Sequence, residues 1–395
     1  MFEYDDLEEE LGQSPNEIDP LDKQWLKDPK HQLLYALDLA NQAARKGKRE
    51  TFDEHVFEVN YYENIQRLAK DLYDKTYSPL PGTAHIVHKP VIREIFAAPF
   101  RDRIVHHLIV SAMDDYIDKR LWYYSSSCRK GKGTLFGVRG LDHHIRKVTN
   151  NYAVKDAYVV KFDIKGYFMH ISRAKLYKIV IRWLDKIYPP ENRGMWYGIL
   201  KHAIHEVIHD NPVDGVKIRD GAKAWAKLPA DKCLFCQPPG QGIVIGNLTS
   251  QEFSNIYLDI LDRYITQRLG YKAYGRYVDD FYIVVKKEQL PQLLRCDRYA
   301  IANLLSGLGL TLHPKKMAVY KVGREVPFLG MKVGMNHIVP GDRLQRNMRR
   351  AVRLRMMDLR DDDTLISYIG MMKHVSHYNV ISKIFSEVGW EYTLE

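Results

Sequence analysis

Tyr277-Val278-Asp279-Asp280-Phe281-Tyr282-Ile283-Val284-Val285 sets two adjacent acids between apolar segments. At the centre of a β-hairpin two such carboxylates repel each other and interrupt the strand pattern. A sequence tolerates the pair where a cation compensates it. Mg²⁺ suits that role, because it takes hard oxygen ligands and keeps waters and substrate phosphates in its shell. A third acid, Asp163, ends another apolar run, Tyr158-Val159-Val160-Lys161-Phe162-Asp163, over one hundred residues earlier. Three acids so placed suit two ions about 3.5–4 Å apart, the geometry of in-line phosphoryl transfer. A lone Asp-Asp pair is more often a solvated turn; the apolar flanks and the matching context of Asp163 argue against that reading here.

The elements that must position these acids follow from periodicity. Tyr158–Ile164 reads as a buried strand, and Tyr274–Lys286 as a hairpin. Residues 23–75 show apolar residues at helical spacing, broken by a basic stretch at Arg45–Arg49. Residues 76–100 are rich in Pro and β-formers and read as short strands and turns. Helices are predicted over 101–122, 174–210, 246–268 and 289–309, an irregular insertion over 211–240, a small sheet around 318–340 and a basic helical lobe over 341–395. Helices interleaved with a few antiparallel strands predict an α+β fold.

Charge points to the partner. The net charge is +10, although residues 1–22 carry nine acids and no Lys or Arg and read as an acidic flexible tail. A body that basic suits a polyanion, or is merely soluble. Arg129-Lys130-Gly131-Lys132 and a run of arginines supply candidate contacts to a nucleic-acid backbone. Arg346, Arg349, Arg350 and Arg353 fall at i, i+3, i+4 and i+7, on one helix face. The N-terminus lacks the apolar core of a secretory signal, and no window has the ~18 apolar residues a membrane span needs. Four cysteines make no disulfide framework, so a cytoplasmic, reduced protein is expected. Cys233-Leu234-Phe235-Cys236 with His205 and His209 could form a Cys₂His₂ zinc site, but free cysteines in an insertion are the expectation.

Gln241–Gln251 leads into an amphipathic helix. Gly246 allows a backbone to approach a flat ligand, and Thr249 or Ser250 could cap the helix.

Taken in order, these motifs resemble those of reverse transcriptases. Phe162-Asp163-Ile164-Lys165-Gly166-Tyr167-Phe168 resembles the first catalytic motif, and Tyr277-Val278-Asp279-Asp280 the central one. The resemblance covers about residues 80 to 335, with a weaker helical likeness beyond. It implies a right-hand polymerase: a helical N-terminal region (23–75), fingers (76–157), a palm with a small antiparallel sheet (158–335, with an insertion near 205–240) and a short helical thumb (336–395). It also implies that Asp163 and Asp279 hold two Mg²⁺ ions, with Mn²⁺ as a substitute. The Ile164 carbonyl assists, and Asp280 is a less direct ligand. Phe168 takes the place of a steric gate under the sugar that favours dNTPs, with Tyr167 as its rival. Arg93, or less directly Lys89, would clamp the triphosphate. Arg103 beside Asp102 is a clamp or a structural ion pair. Lys316 would protonate the leaving pyrophosphate or is a solvated turn lysine. Val326-Pro327-Phe328-Leu329-Gly330-Met331 resembles the primer-grip hairpin, with Phe328, Leu329 and Gly330 as its contacts, although its apolar composition also suits a plain core hairpin. No RNase H, endonuclease or maturase segment is recognisable after the thumb, so those steps are expected of other factors.

Two stretches narrow the resemblance. Most of these enzymes carry Gln-Gly and Ser-Pro where this chain has Ile245-Gly246 and Ser250-Gln251. Ile245–Gln251, and Arg93–His107 with it, look like diversity-generating retroelement reverse transcriptases. That group implies a structured template RNA, cDNA errors at adenine and a basic, oligomeric accessory variability protein in a bacterial or phage-infected cell. Alternatives are a retron-like or antiphage-defence reverse transcriptase and, in another class, a non-catalytic RNA-binding scaffold.

Isoleucine at 245 offers contact but no hydrogen bond, and apolar contact discriminates by only about 1–3 kcal/mol. Ile245→Gln is therefore expected to copy template adenine more accurately in a misincorporation assay. An unchanged error spectrum would remove Ile245 from the explanation.

Overall fold

A computed structural model describes residues 26–47, 51–88, 91–357 and 362–392. The acidic segment 1–22 and Lys89 lie outside the described residues. Among those described, ten strands follow one another: β1 (Thr83–Val87), β2 (Arg93–Ala97), β3 (Ala157–Asp163), β4 (Lys217–Ile218), β5 (Tyr274–Tyr277), β6 (Asp280–Lys286), β7 (Ala318–Lys321), β8 (Val326–Phe328), β9 (Met331–Gly334) and β10 (His337–Pro340). They form three small sheets within a largely helical chain, an α+β arrangement.

The chain divides into two compact units. The first holds the described residues up to Leu121, Gly166–Ile260 and Gly307–Leu310. Its sheet runs β2-β1-β4, with β1–β2 antiparallel and β4 added parallel to β1. Alternate residues of β1 and β2 point inward (Ala84, Ile86, Glu94, Phe96), as the period of two requires. Three helices, Pro29–Arg45, Tyr61–Tyr73 and Phe100–Ser111, bury Leu33, Leu37, Leu68, Leu72, Ile104 and Leu108. The Asp28 side chain caps the first of them through the Lys30 amide at 2.8 Å. The predicted helix over 174–210 is two helices, Arg173–Ile187 and Met195–His209, separated around Pro189-Pro190. Residues 211–240 are irregular, with short turns around Trp225 and Phe235, whose rings meet edge-on at 5.3 Å.

The second unit holds Trp122–Lys165, Leu261–Ser306 and the described residues from Thr311 on. Its central sheet is β5-β6-β3-β7, antiparallel throughout. The helix Thr134–Thr149 lays Val138, Leu141 and Ile145 on Val159, Tyr282 and Val284 of that sheet. This packing groups Trp122–Lys165 with the sheet in one unit. The predicted sheet over 318–340 is shared: β7 joins the central sheet, while β8, β9 and β10 form their own. Helices Asp342–Met356, Asp362–Met372 and Tyr378–Ser386 close around Met348, Val352, Met372, Ile381 and Ile384.

Tyr282 is the keystone of this core. It is 1 % exposed, and a Cβ at Gly275 would come within 2.5 Å of its hydroxyl. That hydroxyl pairs with His144 Nδ1 at 2.9 Å, and Phe328 meets the ring edge-on at 5.2 Å. Tyr282→Ala is expected to cost about 3–5 kcal/mol in urea unfolding; a loss under about 1 kcal/mol would contradict this packing account.

Candidate active site

The four acidic and basic side chains predicted to do chemistry at the catalytic motifs all lie in the second unit. The register of β3 against β6 sets Asp163 opposite Asp280. β5 and β6 are joined by a two-residue turn, Val278-Asp279, so the Asp-Asp pair straddles the turn and the first residue of β6. The Ile164 amide donates to the Asp279 carbonyl at 3.1 Å and the His313 amide to the Asp163 carbonyl at 2.7 Å. Those bonds fix the backbone of the strand end that carries Asp163.

Like charges directly opposite across a ladder are unfavourable, and two lysines offset them. Lys316 Nζ lies 3.0 Å from both Asp163 oxygens. Lys161 Nζ lies 3.6 Å from Asp280 Oδ2 and 5.3 Å from the Phe328 ring. Burial, then the Asp163 charge, pushes the Asp279 carboxyl up to about 6. Burial also raises Asp280, against the pull of Lys161. The sequence reading missed Lys161. Its signal was a cation two residues before Asp163, on the same face of a buried strand.

Three hard carboxylates at one strand end, two of them resisting ionisation, suit a divalent cation by donor type. The donors that would hold it are Asp163 and Asp279, with Asp280 beside them. Among the described residues, however, no three His, Cys, Asp or Glu side chains are arranged to hold a metal ion. Asp163 is ion-paired with Lys316, which would share that carboxylate with a bound ion.

The residues expected to face a nucleotide lie in the first unit. Phe168 and Ile245 are half-buried against Phe96, Met169, Leu234 and Val244. Tyr167 is core: it is 2 % exposed and its hydroxyl donates to the Ser254 carbonyl at 2.6 Å. Of the two rivals, Phe168 alone keeps an accessible ring. The Ile245 carbonyl accepts from the Phe96 amide at 3.0 Å. At Gly246 (φ +134°) a Cβ would fall 2.2 Å from the Phe96 carbonyl, so what the glycine admits is strand β2. Thr249 and Ser250 lie inside the helix Leu248–Arg263 and do not cap it; Gln251 follows, half-buried, in the same turn. Arg93 is half-buried at the start of β2.

Several expected phosphate contacts are otherwise engaged. Arg129 is 9 % exposed, and its Nη1 donates to the Trp122 and Ser125 carbonyls at 2.9 Å each. Lys132 donates to the Tyr123 carbonyl at 2.8 Å and lies over that ring. Arg349 pairs with Glu387 at 3.0 Å, which leaves Arg346, Arg350 and Arg353 exposed along the helix Asp342–Met356. Lys130 is exposed. Phe328 is a buried core ring, so only Leu329-Gly330, in a left-handed turn (φ +48° and +83°), stands at the tip of its hairpin. Asp102 takes its ion pair from Arg101 at 3.1 Å, while Arg103 donates to the Ala98 carbonyl. Cys233 is buried and Cys236 exposed, both free. Beside them the Glu94 carboxyl is pushed up to about 7 by burial. His205 and His209 stack on each other at 4.4 Å.

No protein-family model matches the sequence, and neither does any curated protein. Among solved structures, the chain is similar to the telomerase of Candida albicans in complex with a fragment of telomeric RNA, at 11 % identity and TM-score 0.48, over 85 % of this chain and 58 % of that one. It is also similar to apo telomerase of Candida tropicalis, at 12 % identity and TM-score 0.47, over 80 % of this chain and 60 % of that one. A form of the latter truncated from its C-terminal domain matches at 15 % and TM-score 0.45, over 66 % and 55 % of the two chains. The chain thus spans less than two thirds of each of these telomerase chains.

The Asp279 carboxyl titrates higher in the fold than in the unfolded chain. The native state therefore binds more protons between the two values, and this residue's contribution to stability falls as pH rises from about 4 to about 6. Above pH 6 the fold carries a half-buried, repelled charge. Asp279→Asn is expected to raise the Tm of the metal-free protein by a few degrees (about 2–4 °C) at pH 7.5, with the gain vanishing near pH 4. Equal gains at both pH values would contradict the burial account.

Proposed function

We propose that this protein is an RNA-directed DNA polymerase with a right-hand fold, one that makes error-prone, adenine-mutagenic cDNA from the template-repeat RNA of a diversity-generating retroelement. The observation that carries the polymerase reading is the register that sets Asp163 opposite Asp280, with Asp279 in the adjoining turn and Lys316 3.0 Å from Asp163. In this reading Asp163 and Asp279 hold two Mg²⁺ ions with help from the Ile164 carbonyl, and Asp280 supports them. The ions, when bound, polarise the phosphoryl group and stabilise the attacking and leaving oxygens.

The chain's own residues do the remainder. Lys316, held beside Asp163, donates a proton from its ammonium to the leaving pyrophosphate. Arg93, or less directly Lys89, clamps the triphosphate, since a guanidinium fork matches phosphate oxygens. Phe168 leaves no room for a 2′-hydroxyl. Ile245, Gly246 and Gln251 face the nucleotide or template pair. Lys130, Arg346, Arg350, Arg353 and the Leu329-Gly330 tip contact the template-primer backbone. The retroelement reading rests on Ile245–Gln251 and Arg93–His107, and brings with it a structured template RNA and a basic accessory protein in the cytoplasm. No helix among the described residues is long and apolar enough to cross a membrane.

Primer extension on a defined RNA template, followed by product sequencing, tests both levels. Asp163→Ala, Asp279→Ala and Asp280→Ala are each expected to lower extension by at least about 10²-fold, the scale on which lost electrostatic stabilisation appears. Full-rate extension by any of them would overturn the polymerase reading. Wild-type cDNA is expected to carry its errors mainly opposite adenine; errors spread evenly over the four bases would remove the retroelement reading and leave the polymerase one.

A further inference from the structure

The turn that carries Asp279 is strained. Val278, its first residue, has φ +54°. Asp279 does not share the positive φ, and a two-residue hairpin turn of that pattern takes glycine at the first position. A β-branched side chain there is an outlier that persists only where its surroundings over-determine it. The surroundings do so here. The Val278 amide donates to Ser127 Oγ at 3.2 Å, and Arg276 Nη1 donates to the Val278 carbonyl at 3.1 Å. The Ile164 amide holds the next carbonyl, that of Asp279.

Arg276 is itself fixed. Its side chain and that of Asp262 are both fully buried. Arg276 Nε donates to Asp262 Oδ1 at 2.8 Å and Nη2 to Oδ2 at 2.7 Å, a bidentate fork. The Tyr274 hydroxyl adds a third bond to Asp262, at 2.6 Å. Burying such a pair is costly, and apolar residues of similar volume often give equal or greater stability. What apolar residues cannot supply is the remaining guanidinium nitrogen on the Val278 carbonyl.

We propose that the Arg276–Asp262 pair, with Ser127, forms a positioning clamp that holds the strained Val278-Asp279 turn in the one conformation presenting the Asp279 carboxylate to a divalent ion. Arg276 and Ser127 are positioning residues: they touch the turn's backbone and act on the ion only through it. This inference rests on the polymerase reading above for its purpose, and on the turn's geometry for its mechanism.

The test compares the full-length wild type with three variants. Arg276→Met/Asp262→Leu removes both charges together, so neither is left buried alone. Ser127→Ala removes the other side-chain contact, and Asp279→Ala is the control. Four quantities are read: Tm, Mn²⁺ binding to the free protein by electron paramagnetic resonance, and kcat and KM for dNTP in primer extension. The double variant is expected to keep its Tm to within about 5 °C. It is expected to bind Mn²⁺ about 10–100-fold more weakly, the usual consequence of losing a group that orients a metal ligand. Its kcat should fall by a similar factor, with KM for dNTP changed by less than about twofold, the pattern of a lost transition-state interaction. Ser127→Ala should move Mn²⁺ binding and kcat in the same direction by a smaller factor. A folded double variant with Mn²⁺ binding and kcat within about twofold of wild type would overturn the clamp. If the double variant does not fold, Ser127→Ala decides alone, and unchanged Mn²⁺ binding overturns the clamp. Full extension by Asp279→Ala would instead remove the polymerase reading, while Mn²⁺ binding would still decide the clamp.

Discussion

Carboxylates set opposite one another at the end of an antiparallel pair repel, and a fold that keeps them must be held together by something else. Here the ladder from Ala157↔Lys286 to Asp163↔Asp280 does the holding. β6 is buried from Phe281 to Val285, and β3 contributes Val159, Val160 and Phe162 beside it. The buried residues of β3 lie on both faces, Ala157 and Val159 on one and Val160 and Phe162 on the other, and a slip of one residue would exchange the two sets. The observed register sets Asp163 against Asp280. Lys161 and Lys316 then balance charge that the fold itself has concentrated.

The same logic accounts for the raised Asp279 carboxyl. Its neighbours are apolar strand residues and other acids, and a lysine at each end of the group relieves only part of the repulsion. A site built this way gains most from a compact, doubly charged cation. The catalytic role proposed above draws on this electrostatic imbalance as well as on motif order.

Much of this was legible because it was local. Alternation and apolar flanks mark the hairpin Tyr274–Lys286 and the strand Tyr158–Ile164, and a carboxylate ending a buried strand stands out against them. Contacts between distant segments left weaker traces. Arg129 and Arg349 read as phosphate-binding charges because sequence shows charge but not partners; one is spent on backbone carbonyls and the other on Glu387. Phe328 falls in Val326–Met331, which resembles a grip but is apolar enough for a plain core hairpin, and its ring serves the core under Tyr282. Gly246 suggested a flat ligand, and the close neighbour is the Phe96 carbonyl. Arg276 and Asp262 escaped notice altogether. Their only trace was an acid in the apolar helical run Leu258-Asp259-Ile260-Leu261-Asp262 and a cation opening the hairpin, and pairing them needs the fold.

In the proposed function Asp163 and Asp279 share two metal ions at the end of β3. Anomalous diffraction from crystals grown with Mn²⁺, an RNA template annealed to a primer and a non-hydrolysable dNTP tests this most directly. Two peaks about 3.5–4 Å apart, both within bonding distance of Asp163 and Asp279, are the result the account predicts. Peaks elsewhere, or none beside these carboxylates while the nucleotide is bound, would contradict it.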